Sequence, residues 1–165
     1  MGQIEQLFFE HPEDAFYLRQ VSRLSKVPKT TAARILQEMV KKGWIARKNA
    51  KPVPLYRARA EDAGYRLAKR HWIEQRIVSS GLIEHLARET QPKAIVLFGS
   101  CAKGEFDSSS DIDLFIQAPE KELDLSSFRL GHRISLFFEP SLKDLSKELL
   151  NNIVNGLVLR GYLRL

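Results

Sequence analysis

The stretch Leu97–Ile116, LFGSCAKGEFDSSSDIDLFI, decides how the second half of the chain is interpreted. The run KAIVLFGS (residues 93–100) ends in Gly99-Ser100, and the run SDIDLFI (residues 110–116) begins polar and becomes apolar. The two runs predict two strands, with CAKGEF (residues 101–106) as a turn or short helix between them. Gly99 and Ser100 are therefore expected at the carboxyl end of a strand, where the backbone N–H groups of a helix start can hold a phosphate.

Two aspartates lie at the start of the second predicted strand. Because side chains alternate along a strand, Asp111 and Asp113 are expected on one side, with Ile112 and Leu114 on the other. Paired carboxylates beside a phosphate-binding turn are what Mg²⁺ or Mn²⁺ requires in phosphoryl or nucleotidyl transfer. The alternative interpretation is an ordinary polar turn between two strands.

The pattern Gly-Ser-x-x-x-Gly, six residues, then Asp-x-Asp resembles the active-site motif of the minimal nucleotidyltransferases, small members of the DNA polymerase β superfamily. The resemblance covers residues 83–165, with HRISLFFE (132–139) and GLVLRGYLRL (156–165) as further strands and residues 142–151 as a helix. It implies a small mixed sheet with helices on one face, and an NTP as substrate or ligand. The residues that match are the catalytic and metal-binding Asp111 and Asp113 and the nucleotide-binding Gly99, Ser100, Gly104 and Ser110.

One position departs from that family. A third carboxylate usually comes from the next strand, and this chain offers Ser135 at that place, which cannot deprotonate an attacking hydroxyl at neutral pH. Glu139 faces the same side, but it lies roughly 13 Å along the strand. Asp107 and Glu105 lie on the glycine turn, and His132 is expected on the opposite face. The sequence therefore leaves open whether the domain is an enzyme, which we favour, or an inactive nucleotide-sensing or partner-binding domain.

Positive charge is concentrated in the first half of the chain. Residues 1–80 contain 16 Lys and Arg against 8 Asp and Glu, whereas residues 81–165 contain 10 against 12. The segment Lys41–Arg59 contains seven basic residues and no acidic residue. This asymmetry indicates that the first half contacts a polyanion, although an isolated basic run is usually only a solvated face.

Apolar residues recur at helical spacing in the first 45 residues of the chain. Ile4, Leu7 and Phe8 predict a short amphipathic helix, with Phe16 leading into the next element. In LRQVSRLSKVPKTTAARILQEMVKKGWI (residues 18–45) two helices are predicted on either side of a break at Val27-Pro28. Their apolar faces are Leu18, Val21 and Leu24, then Ala32, Ile35, Leu36, Met39 and Val40. Pro28 suits a helix start and Gly43 suits the left-handed position after a helix end.

The segment WIARKNAKPVPLYRARA (residues 44–60) alternates like a hairpin, with its turn at residues 49–54. Together with the helix pair it resembles the winged helix-turn-helix of bacterial and archaeal transcription regulators, in which the second helix of the pair enters the major groove of DNA. The resemblance implies that double-stranded DNA is a partner. It also implies that residues in the first half of the second helix contact the DNA groove or phosphates, namely Lys29, Thr30, Thr31 and Arg34. The positive charge of the hairpin predicts further DNA contacts at Arg47, Lys48 and Lys51.

The segment between the two halves is also predicted to be helical. Tyr65, Ala68, Trp72, Ile73, Ile77, Leu82 and Leu86 recur at three- and four-residue steps, with SSG (residues 79–81) as the expected break. The apolar stripe either packs on its own domains or forms a homodimer contact, as in regulators that read two half-sites of DNA. We favour the homodimer.

The sequence as a whole predicts an α+β protein with three parts. These are a winged helix-turn-helix domain (1–60), a connecting or dimerisation helix (61–82) and a nucleotidyltransferase-like domain (83–165). The resemblance further implies an antitoxin-like, autoregulating role with a helical toxin-like protein partner. The single cysteine, Cys101, is interpreted as a packing residue, and a chain without a secretory signal or a membrane-length apolar stretch is expected in the cytoplasm.

Overall fold

The computed structural model describes residues 2–163 and divides into two compact units, residues 1–69 and 70–165. Each unit combines helices with a small β-sheet, which confirms the α+β class. Within residues 2–163, the helices are too short or too polar to cross a membrane.

The first unit packs helices against a three-stranded antiparallel sheet of order β1-β3-β2. Its core is formed by apolar residues from α1, α2, α3 and all three strands. Gly43 has a φ of +76°, the left-handed conformation predicted after the second helix. The elements are α1 (Gln3–Glu10), β1 (Ala15–Tyr17), α2 (Leu18–Leu24), α3 (Lys29–Lys41), β2 (Ile45–Lys48) and β3 (Leu55–Ala58).

One strand of the first unit was not predicted, and one expectation is wrong. Phe16 belongs to strand β1, which pairs with β3. Leu24 was expected on the buried face of α2, but 51% of it is exposed because α2 ends at this residue, while Val21 one turn earlier is fully buried. A strand of three residues has no period of its own, so only its pairing with β3 defines it.

The predicted helical connector is two helices, α4 (Ala63–Ser79) and α5 (Leu82–Thr90), separated by Gly81 with a φ of +77°. The predicted break at residues 79–81 is confirmed. The apolar stripe of α4 is buried. Tyr65 donates a 2.7 Å hydrogen bond to the Phe8 carbonyl in the first unit, and Trp72 stacks on Phe106 in the second, with 6.1 Å between ring centroids. The stripe therefore packs within the chain in this structure.

The second unit contains a four-stranded mixed sheet of order β6-β5-β4-β7, in which β5 and β6 are parallel and the other two pairs are antiparallel. The mixed sheet was predicted. After α5, the elements are β4 (Ala94–Phe98), α6 (Gly99–Lys103), β5 (Ile112–Ile116), β6 (Ile134–Phe138), a short 3₁₀ helix (Leu142–Asp144), α7 (Lys147–Val154) and β7 (Leu157–Gly161).

Two details of the second unit differ from expectation. Ala94 and Val96 of β4 pack in a cluster with residues of α7, yet Ile95 and Leu97, on the other side, are also fully buried, so this strand is covered on both faces rather than one. The helix predicted over residues 142–151 is interrupted, because Ser146 caps α7 by accepting a hydrogen bond from the Leu149 backbone N–H at 3.2 Å.

Candidate functional site

Two glycines with a left-handed backbone conformation mark the start and the end of α6. Gly99 begins α6 with a φ of +72°, and a β-carbon at this position would lie 2.6 Å from Oδ2 of Asp113. Gly104 ends the same helix with a φ of +72°. Glycine is the residue that adopts this backbone conformation without steric cost, and at position 99 it also leaves the space that the carboxylate fills.

The two aspartates lie where the alternation predicts. Asp113 is paired with Phe98 of β4 on one side and with Ser135 of β6 on the other. Ile112 and Leu114 are fully buried, whereas Asp111 and Asp113 are half-buried. Burial, and then the negative charge of Asp111, raise the pKa of Asp113. The structure therefore holds two carboxylates close enough to repel each other.

Ser135 stands beside the carboxylate pair, at the position where a third acid was expected. Its Oγ donates a 3.3 Å hydrogen bond to Oδ2 of Asp111. Within residues 2–163, no three His, Cys, Asp or Glu side chains lie close enough together to hold a metal ion by themselves. Two carboxylates and a hydroxyl are hard oxygen ligands and fit a divalent cation, although the set carries one negative charge fewer than three acids would.

Two side chains hold the backbone in front of β5. Cys101 is fully buried and lies 3.3 Å from the carbonyl of Asp111, and Nδ1 of His132 lies 2.8 Å from the carbonyl of Ser110. The ring of His132 also packs edge-on against Phe106. Both residues position the peptide that carries Asp111, and the interpretation of Cys101 as a packing residue agrees with its burial.

Other residues of the predicted site have local roles in this structure. Oδ1 of Asp107 accepts hydrogen bonds from the Ser109 N–H at 2.8 Å and from the Ser110 hydroxyl at 3.2 Å. The Ser110 hydroxyl in turn accepts from the Asp107 N–H at 3.0 Å, so it closes the loop. Ser100 is half-buried on the first turn of α6, next to Gly99. The structure thus brings Gly99, Asp111 and Asp113 together and uses Ser110 within its own loop.

A separate groove of about 730 Å³ lies in the first unit, between the start of α2, the start of α3 and the β2–β3 hairpin. Four basic residues and no acidic residue line it: Arg19, Lys29, Arg47 and Lys51. Three of the four were predicted as DNA contacts from sequence. Arg19 was not, because nothing in its local pattern separates it from other exposed arginines on a short helix.

The remaining predicted contacts lie elsewhere on the first unit. Arg34 is exposed on α3 and forms an ion pair with Glu38 at 2.7 Å. Lys48 lines a different groove, together with Arg57 and Glu13, because neighbouring residues on a strand face opposite sides. Thr30 and Thr31 lie in the first turn of α3, where Thr30 is exposed and Thr31 is half-buried.

The repulsion between the carboxylates predicts that Asp113→Asn stabilises the metal-free protein. Because the folded state raises the pKa of Asp113, folding stability decreases as the pH rises from the ordinary aspartate pKa of about 3.9 through the raised value. We expect a higher Tm for Asp113→Asn than for the wild type at pH 7 with chelator, and a smaller difference below pH 3.9. Asp144→Asn, an exposed position in the same unit, is the control and should leave Tm unchanged. An equal or lower Tm for Asp113→Asn at pH 7 would contradict the prediction.

Residues 81–157 match the family model described as Polymerase beta, Nucleotidyltransferase. The matched segment includes β4, α6, β5, β6 and α7, and with them the glycine turn, both aspartates and Ser135. A search of curated proteins and a search of solved structures gave no match. Residues 81–157 are therefore similar to the polymerase β nucleotidyltransferases.

Proposed function

We propose that the second unit transfers an NMP group from an NTP to a hydroxyl of a protein or small-molecule acceptor, with pyrophosphate as the leaving group. The observation that carries this proposal is the pair Asp111 and Asp113 at the start of β5, in which Asp113 fills the space beside Gly99. The family match of residues 81–157 supports it.

Each residue of the candidate site has a distinct role in this proposal. Asp111 and Asp113 would hold Mg²⁺ or Mn²⁺ through their carboxylate oxygens, because hard cations prefer oxygen ligands. The cation, when bound, supplies positive charge against the charge that develops on the transferred phosphoryl group. Gly99 lets the backbone approach the nucleotide phosphates closely, and Ser100 adds a hydroxyl beside it. Gly104 and Ser110 shape the turn and loop that border the nucleotide.

Ser135 supports a second candidate function, in which the domain binds a nucleotide without turnover and acts as a sensor or holds a partner. Its hydroxyl donates to Asp111, so it supports that carboxylate and takes no proton from an acceptor. The acidic pair favours the enzyme, because two half-buried carboxylates repel each other unless a cation neutralises them.

For the first unit we propose binding of double-stranded DNA through a winged helix-turn-helix formed by α2, α3 and the β2–β3 hairpin. Lys29, Arg47 and Lys51, joined by Arg19, would contact phosphates in the basic groove. Lys48 and Arg34 would contribute from outside the groove. The groove contains no acidic lining residue that would repel a phosphate.

The two proposals together describe an antitoxin-like regulator that controls its own gene. In such a protein the nucleotidyltransferase domain modifies or holds a small helical toxin-like partner, and the DNA-binding domain represses transcription. The proposed domains are residues 1–60 and 83–165 with a helical connector over 61–82, and the division into two compact units near residue 70 is compatible with them.

Nucleotide binding is tested by calorimetric titration of ATP, and then of the other NTPs, into the full chain with Mg²⁺, with Mn²⁺ and with chelator. We expect metal-dependent binding in the wild type and in the control Asp144→Asn, and its loss in Asp113→Asn. Transfer of label from the NTP should be lost in the same variant. Binding of the same strength in Asp113→Asn would show that Asp113 does not hold the metal–nucleotide complex.

Ser135→Asp separates the enzyme from the sensor. Ser135 is in register with Asp113 and forms a hydrogen bond with Asp111. An aspartate at position 135 would therefore complete a set of three acids. If the wild type is a slow enzyme that lacks a base, label transfer should rise by roughly 10²-fold, within the range of general-base contributions. Ser135→Asn is the uncharged control. Transfer absent from the wild type and from Ser135→Asp, with nucleotide binding intact, would support the sensor.

Binding of double-stranded DNA should weaken steeply with salt, since each phosphate contact contributes roughly 0.9 to the slope of log K against log salt. Replacing Lys29, Arg47 and Lys51 together by Ala should reduce the slope by roughly that amount per lost contact. The matched control replaces Lys143, Lys147 and Arg160, three exposed basic residues of the second unit, and should not change the slope. A flat salt response, or equal effects of both triple variants, would contradict DNA binding through this groove.

A further inference from the structure

Strand β6 lies at one edge of the second-unit sheet, because β5 is its only neighbouring strand among residues 2–163. The strand, ISLFF, contains no charged residue, proline or glycine. Phe137, near its end, is 41% exposed although its ring contacts Phe98 with 5.3 Å between centroids. An apolar edge strand of this kind is a template for pairing with another chain, and many proteins place a charge or proline within such a strand to prevent it.

The backbone of β6 presents its outer hydrogen-bonding groups at defined residues. The carbonyl of Arg133 accepts from the Ile112 N–H at 2.8 Å, and the Glu139 N–H donates to the carbonyl of Ile116 at 3.3 Å. Odd-numbered residues therefore direct their backbone groups towards β5. Because these directions alternate along a strand, the N–H and C=O groups of Ile134, Leu136 and Phe138 are directed to the outer side.

The two ends of β6 carry opposite charges. Arg133 precedes the strand and is exposed, and Glu139 follows it and is half-buried. Both are odd-numbered, like Ser135 and Phe137. Because side chains alternate along a strand, all four are on the same face of the sheet.

We propose that β6 pairs antiparallel with β6 of a second copy of this chain, around a two-fold axis at Leu136. In this register the outward groups of Ile134 meet those of the partner's Phe138, and Leu136 meets the partner's Leu136. Arg133 then lies opposite the partner's Glu139 and Glu139 opposite the partner's Arg133, which are cross-strand neighbours of opposite charge.

Charge complementarity selects this register. A shift of two residues in one direction places Arg133 opposite the partner's Phe137, and a shift in the other places Glu139 opposite the partner's Ser135, so both ion pairs are lost. The other edge strand, β7, lacks this feature, because antiparallel pairing around Leu159 would place Arg160 opposite the partner's Val158. The pairing also covers Phe137 and joins the two sheets, with both acidic sites on the same face.

The proposal is tested by sedimentation velocity on the full chain at concentrations up to about 100 µM, which reach dissociation constants in the micromolar range. The wild type should dimerise. Arg133→Glu and Glu139→Arg each place like charges opposite each other at both ends of the pair, and each should raise the dimer dissociation constant roughly tenfold or more. The double variant restores opposite charges and should dimerise like the wild type. An equimolar mixture of the two single variants should form heterodimers.

A monomeric wild type, or a dimer that neither reversal weakens, would overturn the proposal. Failure of both the double variant and the mixture to recover association would also overturn it. Hydrogen exchange on the wild type gives a test that needs no variant. As protein concentration rises, the amides of Ile134, Leu136 and Phe138 should gain protection, while the amide of Phe137, which faces β5, should not. Equal protection at all concentrations would overturn the proposed pairing.

Discussion

At residue 99 the chain turns from strand to helix in a left-handed conformation, and the space that a side chain would occupy is filled by Oδ2 of Asp113. This contact joins the end of β4, the start of α6 and the carboxylate of β5 in one turn. The register of the sheet extends the arrangement, because Asp113 is paired with Phe98 on one side and with Ser135 on the other. The contact and the sheet register together position Gly99, Asp113 and Ser135.

The position of Asp111 depends on supports from two directions. Cys101 of α6 contacts the carbonyl of Asp111, and His132, just before β6, contacts the carbonyl of Ser110. The peptide that leads into β5 is therefore held on both sides, and the carboxylates stay close although they repel each other. Burial, and then the negative charge of Asp111, raise the pKa of Asp113, so the ionised pair costs stability when no cation neutralises it.

Charge is organised differently in the first unit. Several exposed basic residues have an acidic neighbour, such as Arg34 with Glu38 and Arg57 with Glu13 at 2.6 Å. The groove between α2, α3 and the hairpin gathers basic residues without acidic ones. Basic residues from separate parts of the first unit thus line one groove, and such a surface attracts a polyanion more strongly than scattered charges do.

The sequence by itself determined the strands β4, β5 and β6, the glycine turn, the facing of Asp111 and Asp113 and the place of Ser135, because strand alternation and glycine conformations are local properties. It also determined the helix pair and the hairpin of the first unit as elements. Only the tertiary structure decided that Phe16 belongs to a strand, that the α4 stripe is buried inside the chain and that Arg19 joins Lys29, Arg47 and Lys51. These outcomes depend on contacts between residues far apart in the chain, which no local period encodes.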